Sequence, residues 1–221
     1  MKVKCEVFRF DPDSGRGPGY ETYVLEVEPT ETALSVLMKI YREFDSSLSF
    51  RFSCGVVKCG ECSLLVNGSP CLACAKRVEP EMKIDPLPNL PLIKDVVIDR
   101  RKVFDRICKL LPRLSGMRRE RKTVPTIESD AADRYVRLTE CYECLICQSV
   151  CPVLESLQEE FIGPLGLLWL AQMSLVRKKN ISRKKIGSSI ESCQRCGICW
   201  SSCPSSEEVL KLALETLEET R

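Results

Sequence analysis

The sequence predicts an α+β chain in two parts, a small sheet wrapped around one helix and then an all-helical half, and three observations predict it. β-rich runs fill the first 95 residues, with a single stretch of helical periodicity among them. The stretch Asp85-Pro86-Leu87-Pro88-Asn89-Leu90-Pro91 can continue neither a helix nor a central strand, so it marks a junction. Beyond it apolar residues recur at helical spacing, and the pattern C-x2-C-x2-C-x3-C-P occurs twice. The domains are placed at residues 1–95 and 96–221.

Taken in order, Val3 to Phe10 and Tyr20 to Val27 form an antiparallel hairpin across a longer loop that holds Asp11 to Gly15 and Gly17-Pro18-Gly19. Ala33, Leu34, Leu37, Ile40, Tyr41 and Phe44 then share a helix face, with Thr30 or Thr32 as its cap. Asn67-Gly68 is a strong two-residue hairpin signal between Ser63–Val66 and Cys71–Cys74. Strands around one helix suggest a β-grasp ferredoxin module. In the second part, Val103, Phe104, Ile107, Leu110 and Leu111 make one apolar stripe, and Val209, Leu210, Ala213, Leu214 and Leu217 make another. Ser205 with Glu208 fits the capping box of that last helix, and each Cys-Pro places proline where a helix begins. Phe161 to Val176 is apolar but interrupted by Gly163, Pro164, Gln172 and Ser174, which suits a buried helix and not a membrane span.

The chemistry lies in the cysteines. Cys141, Cys144, Cys147 and Cys151-Pro152 form one run, and Cys193, Cys196, Cys199 and Cys203-Pro204 repeat it 52 residues later. This is [4Fe–4S] spacing: three thiolates hold one cluster and the fourth reaches the other, so two runs predict two crossed clusters. Cys54-x4-Cys59-x2-Cys62, with Cys74 twelve residues on, follows the plant-type [2Fe–2S] loop in its first three ligands. Cys71 competes with Cys74 as the fourth. Gly55 and Gly60 let backbone amides approach cluster sulfur. Zinc is the bland reading of any single C-x2-C, but it has no use for a third and fourth cysteine, a following proline and a paired second run. Cys5 and Cys108 remain, one in a strand and one in a helical stripe, and both read as buried small hydrophobes.

The 33 Lys+Arg and 31 Asp+Glu give a net charge of +2, which offers no electrostatic case for nucleic acid. Three assembled clusters add about −6 and bring the chain to roughly −4. Fifteen cysteines in so long a chain, with no signal peptide at Met1-Lys2-Val3-Lys4, point to reduced thiols in a cytoplasm, with membrane attachment only peripheral or through partners. The basic runs Arg113 to Lys122 and Arg177 to Lys185 suit either a solvated face or docking to an acidic partner or anionic membrane. Histidine is absent, so neither a nucleophile–His pair nor a His-based metal site exists, and the chain alone is expected to turn over no organic substrate.

Ser53-Cys54, Cys59-Gly60-x-Cys62, Asn67-Gly68, Leu72-Ala73-Cys74, the segment Ile84 to Asp95 and the Gly163-Pro164-Leu165-Gly166-Leu167-Leu168 helix occur in the order found in one family. The chain resembles the iron–sulfur subunit of succinate dehydrogenase and fumarate reductase over nearly its whole length. That resemblance implies a [2Fe–2S] on Cys54, Cys59, Cys62 and Cys74 facing the FAD of a flavoprotein subunit. It implies a middle [4Fe–4S] on Cys141, Cys144, Cys147 and Cys203, and a distal cluster on Cys151, Cys193, Cys196 and Cys199. The family's distal centre is mostly a [3Fe–4S]; the complete second motif here argues for a second [4Fe–4S].

The family's quinone pocket uses a tryptophan after the first Cys-Pro and a histidine in the second run, where this chain has Val153-Leu154 and Gln194-Arg195. Those departures argue against quinone as the distal carrier. Trp200, inside the second run, suits a core or cluster-shielding role, with the lining of a pocket as the alternative. The paired complete motifs also resemble the small iron–sulfur subunit of heterodisulfide reductases and the iron–sulfur part of anaerobic glycerol-3-phosphate dehydrogenase. The expected role is electron transfer between FAD and a distal partner, either a cysteine-rich subunit or a membrane anchor. The alternatives are a subunit of another flavin-linked oxidoreductase, a free polyferredoxin and a zinc-stabilised interaction protein.

Overall fold

The computed structural model describes residues 1–115, 127–156, 161–176 and 190–219. Two compact units emerge, Met1–Arg100 with Tyr142–Ser149, and Arg101–Cys141 with Val150–Arg221. The short segment carrying Cys144 and Cys147 thus belongs with the sheet-rich unit. The two basic runs lie outside the described residues, apart from the backbone of 113–115.

The first unit is a five-stranded sheet holding one helix. β1 (Lys2–Asp11) pairs antiparallel with β2 (Arg16–Glu26) and parallel with β5 (Glu81–Asp85); β3 (Ser63–Val66) pairs antiparallel with β5 and with β4 (Ser69–Leu72). The resulting order is β2-β1-β5-β3-β4. α1 (Ala33–Glu43) buries Ala33, Leu34, Val36, Leu37 and Ile40, and Thr32 caps it in a reciprocal capping box with Ser35. Asn67 and Gly68 both take positive φ, 51° and 75°, as a type I′ turn between β3 and β4 requires. Gly17-Pro18-Gly19 lies inside β2 and not in the loop. β2 is an edge strand whose register against β1 shifts between Arg9 and Asp11, a setting in which a sheet tolerates proline. The junction stretch continues into a small hairpin, β6 (Leu92–Lys94) with β7 (Val97–Ile98), whose strands are too short to show a period.

Odd-numbered residues of β1 point inward, so Val3, Cys5 and Val7 are fully buried, and Arg9 follows them at 2% exposure. A guanidinium there needs partners. Its Nε donates to Asp95 Oδ1 (3.0 Å), Nη1 to Glu21 (2.7 Å), Tyr23 OH (3.0 Å) and Asp45, and Nη2 to Ser47 Oγ (2.8 Å). Asp95, itself wholly buried, also accepts from the N–H groups of Phe10 (3.0 Å) and Ser49 (2.8 Å). This network ties β1 to the segment that leads into Cys54. Arg9 holds the Asp45 carboxyl well below the usual carboxylate range, so its stabilisation is present above that range and is lost as pH falls toward the depressed value. Arg9→Met is expected to lower unfolding free energy by about 3–5 kcal/mol in denaturant titrations at neutral pH, with the deficit shrinking as pH falls below about 4.

In the second unit α6 (Gly163–Val176) is buried on most sides and packs against α3 (Ser129–Leu138) and α8 (Glu207–Glu219). Val209, Leu210, Ala213, Leu214 and Leu217 are all buried on α8. On α2 (Arg100–Ser115), Val103, Ile107 and Leu111 are buried, and Phe104 stacks on Trp169 at 5.7 Å. Cys108 is exposed, contrary to expectation, because it sits off the Val103-Ile107-Leu111 line. The cap of α8 is Ser206, whose Oγ accepts from Glu208 N (3.2 Å); Ser205 Oγ instead donates to Glu140 O (2.8 Å). Pro152 opens α5 (Pro152–Ser156), whereas Pro204 precedes α8 by three residues and opens no helix.

Candidate metal centres

The loop between α1 and β3 carries the first three cysteines and is shaped by backbone of positive φ: Gly55 (68°), Val57 (57°) and Gly60 (69°). Left-handed residues alternating with others turn successive N–H groups to one side and form an anion-binding nest. Cys54 Sγ accepts from the N–H groups of Val56 (3.4 Å), Lys58 (3.4 Å) and Cys59 (3.3 Å), while Cys54 N–H points to Cys59 Sγ (3.5 Å). These donors stabilise a thiolate and pull the Cys54 thiol down to about 7. In the metal-free chain, alkylation is therefore expected to strike Cys54 before Cys5 and Cys71, which burial pushes up to about 12 and about 11. Peptide mapping after brief iodoacetamide treatment at about pH 7.5 reads this, and Cys54 labelling should fall as pH drops below about 7.

Cys62, buried at the start of β3, is pushed up to about 12 by burial and lies against Cys74, with Cys59 nearby. Ala73 N–H donates to Cys62 O (2.9 Å), which holds the turn carrying Cys74 to the start of β3. Cys71 sits within β4 opposite Leu64. The structure thus brings Cys54, Cys59, Cys62 and Cys74 into one neighbourhood and places Cys71 on the ladder.

The two [4Fe–4S] runs have the same local backbone. Glu143 (52°) and Leu145 (67°) have positive φ in the first; Arg195 (51°) and Gly197 (82°), at the same offsets, do so in the second. A short helical turn follows each, α4 (Ile146–Ser149) and α7 (Ile198–Ser201). The Trp200 indole lies across Gly197, where an added Cβ would stand 2.9 Å from its Nε1, so Trp200 covers the second loop. Arg195 pairs with Glu218. Burial raises the Cys151 thiol, with Cys193 and Cys196 acting on it; burial likewise pushes Cys199 up to about 12 among Cys193, Cys151 and Cys196. The fourth cysteine of the first run, Cys151, therefore lies near cysteines of the second. Cys144 and Cys147 are buried, Cys141 half-buried, and Cys203 half-buried with its N–H donating to Trp200 O (3.1 Å).

Among the described residues no three His, Cys, Asp or Glu side chains close on one ion position. A [4Fe–4S] core takes one thiolate on each iron and a [2Fe–2S] core two, so neither needs three thiolates closing on one ion, and the all-cysteine donor sets fit that need. Sequence reasoning missed Arg100, Ser63 and the strained Glu143 and Leu145. The 52-residue repeat could have matched Glu143 to Arg195, but nothing in the sequence signals Arg100.

Residues 4–105 match the 2Fe-2S iron-sulfur cluster binding domain, and residues 137–207 match the 4Fe-4S dicluster domain. The fumarate reductase iron-sulfur subunit of Haemophilus influenzae is 26% identical over 222 residues, covering 91% of this chain and 86% of that one. A fumarate reductase (CoM/CoB) subunit from Methanothermobacter marburgensis is 28% identical over 97% of this chain, which spans only 43% of that relative's length. In fold, a chain of the Mycobacterium smegmatis Sdh1 complex in the apo form superposes with a TM-score of 0.83 at 23% identity, covering 99% of this chain and 95% of that one. Among the described residues no helix is long and apolar enough to cross a membrane. With a sheet-rich 2Fe-2S domain followed by a helical 4Fe-4S dicluster domain, the chain is an iron–sulfur protein that resembles fumarate reductase iron-sulfur subunits in sequence and a chain of the Sdh1 complex in fold.

Proposed function

We propose that this chain is the electron-transfer subunit of a flavin-dependent complex of the succinate dehydrogenase or fumarate reductase type, working between the FAD of a partner flavoprotein and a distal carrier. The observation that carries the reading is the likeness to a fumarate reductase iron-sulfur subunit over 91% of this chain and 86% of that one. When bound, the clusters supply one-electron chemistry, which the FAD couples to two-electron chemistry at the organic substrate. The chain's own residues hold and shape that apparatus. Cys54, Cys59, Cys62 and Cys74 would hold the [2Fe–2S]; Cys151, Cys193, Cys196 and Cys199 the distal [4Fe–4S]; and Cys141, Cys144, Cys147 and Cys203 the middle one, with the fourth cysteine of each run crossing to the other cluster. Backbone N–H groups directed at the Cys54 sulfur stabilise negative charge there, which favours the reduced, more negative state.

A second reading concerns the distal end. The name of the Methanothermobacter relative joins fumarate reductase to CoM/CoB, so that pair, and thiol or disulfide carriers more widely, are the first to test. The experiment is anaerobic purification of the native assembly through this chain, followed by fumarate-dependent oxidation of a reduced viologen dye. Activity with a copurifying flavoprotein supports the proposal. A brown, flavin-containing assembly silent with fumarate and succinate would assign the chain to another flavin-linked oxidoreductase, and a lone chain without flavin would make it a free polyferredoxin.

A further inference from the structure

Arg100, the last residue of the first unit's long segment, is buried at 8% exposure, and its guanidinium fork reaches two different cluster loops. Nη1 donates to Gly60 O (3.4 Å), between Cys59 and Cys62; Nη2 donates to Glu143 O (2.8 Å), the carbonyl next to Cys144. Its Nε lies 3.5 Å from Glu61 Oε1, an ion pair with the residue next to Gly60. Two further contacts join the same loops. Ser63 Oγ donates to Cys144 O (2.7 Å), and Gly60 approaches so closely that an added Cβ would stand 2.4 Å from Tyr142 O and 2.9 Å from Cys144 Cβ.

We propose that Arg100 is a positioning residue that clamps the [2Fe–2S] loop to the loop carrying Cys144 and Cys147, fixing the gap and the electronic coupling between the two centres. The inference rests on the ligand sets proposed above. Neither loop has a regular hydrogen-bonded ladder at these points, and the carbonyls of Gly60 and Glu143 both belong to residues of positive φ. A planar fork with five donors can serve two carbonyls and a carboxylate at once, whereas a lysine ammonium on a flexible stem cannot hold both loops in one plane. Buried charge-assisted bonds are also among the strongest of their kind, so this single side chain has leverage over two loops that lie 83 residues apart in sequence.

The test compares anaerobically purified wild type, Arg100→Gln and Arg100→Lys after full reduction, by iron and sulfide content and by microwave power saturation of the [2Fe–2S] EPR signal. A nearby reduced [4Fe–4S] speeds relaxation of the [2Fe–2S] spin, so the saturation power reports the gap between them. The expected result is full cluster content in all three, a clear drop in saturation power for Arg100→Gln and only partial restoration by Arg100→Lys. Either variant matching wild type in saturation power at full cluster content overturns the clamp. If Arg100→Gln does not retain its clusters, Arg100→Lys alone decides by the same criterion. A wild type without a [2Fe–2S] signal, or with one that no second centre relaxes, would instead overturn the ligand sets on which the inference rests.

Discussion

Cys74→Ser is expected to abolish or shift the [2Fe–2S] EPR signal, while Cys71→Ser leaves it as in the wild type. The two cysteines are three residues apart, so sequence alone leaves both open. The fold separates them. Cys71 lies in β4, where Leu64 faces it across the ladder and burial holds its thiol protonated up to about 11. Cys74 lies beyond the strand end, in the turn tied to Cys62 O through Ala73, and its thiol meets that of Cys62. Serine at a ligand position replaces a soft thiolate by a hydroxyl of much higher pKa, which holds iron poorly. Spectra and iron content of the two variants decide the matter, and a lost signal in Cys71→Ser with a normal one in Cys74→Ser would reassign the ligand.

The second large effect is expected at Gly60. Alanine there has to keep φ at 69°, a conformation that costs an L-residue about 1–2 kcal/mol. Its Cβ would also meet the Tyr142 carbonyl oxygen at 2.4 Å, and backbone cannot swing aside as a long side chain can. Overpacking of this kind adds about 1–3 kcal/mol. Gly60→Ala is therefore expected to lose about 2–5 kcal/mol of stability and much of its [2Fe–2S] occupancy. Gly55 supplies the control. Its φ is 68° but nothing lies within 4 Å of an added Cβ, so Gly55→Ala should show the conformational cost alone. Equal losses in the two variants, measured by denaturation and iron content, would contradict the close packing at Gly60.

Most of the fold was legible because its elements announce themselves locally. Asn67-Gly68 favours a tight hairpin, the α1 face repeats at helical spacing, and the two cysteine runs match each other in spacing throughout. What stayed hidden depends on partners distant in sequence. Arg9 reads as an ordinary strand charge until Asp45 and Asp95 are brought to it, and Arg100 reads as one of several consecutive charged residues until two loops close over it. The segment Tyr142–Ser149 joins the sheet-rich unit because Cys144 packs on Gly60, which no linear division of the chain expresses. Ser206 in place of Ser205, and Pro18 within an edge strand, are shifts of one or a few residues at element ends, where local signals compete.

Twelve cysteines holding one [2Fe–2S] and two complete [4Fe–4S] clusters form the central claim, and iron quantification with EPR on anaerobically prepared protein tests it most directly. The expected result is about ten irons per chain, and an oxidised sample free of any [3Fe–4S] signal. A stoichiometric [3Fe–4S] signal with about nine irons would contradict the four-cysteine distal site, and a colourless zinc-loaded protein would contradict the cluster assignment as a whole.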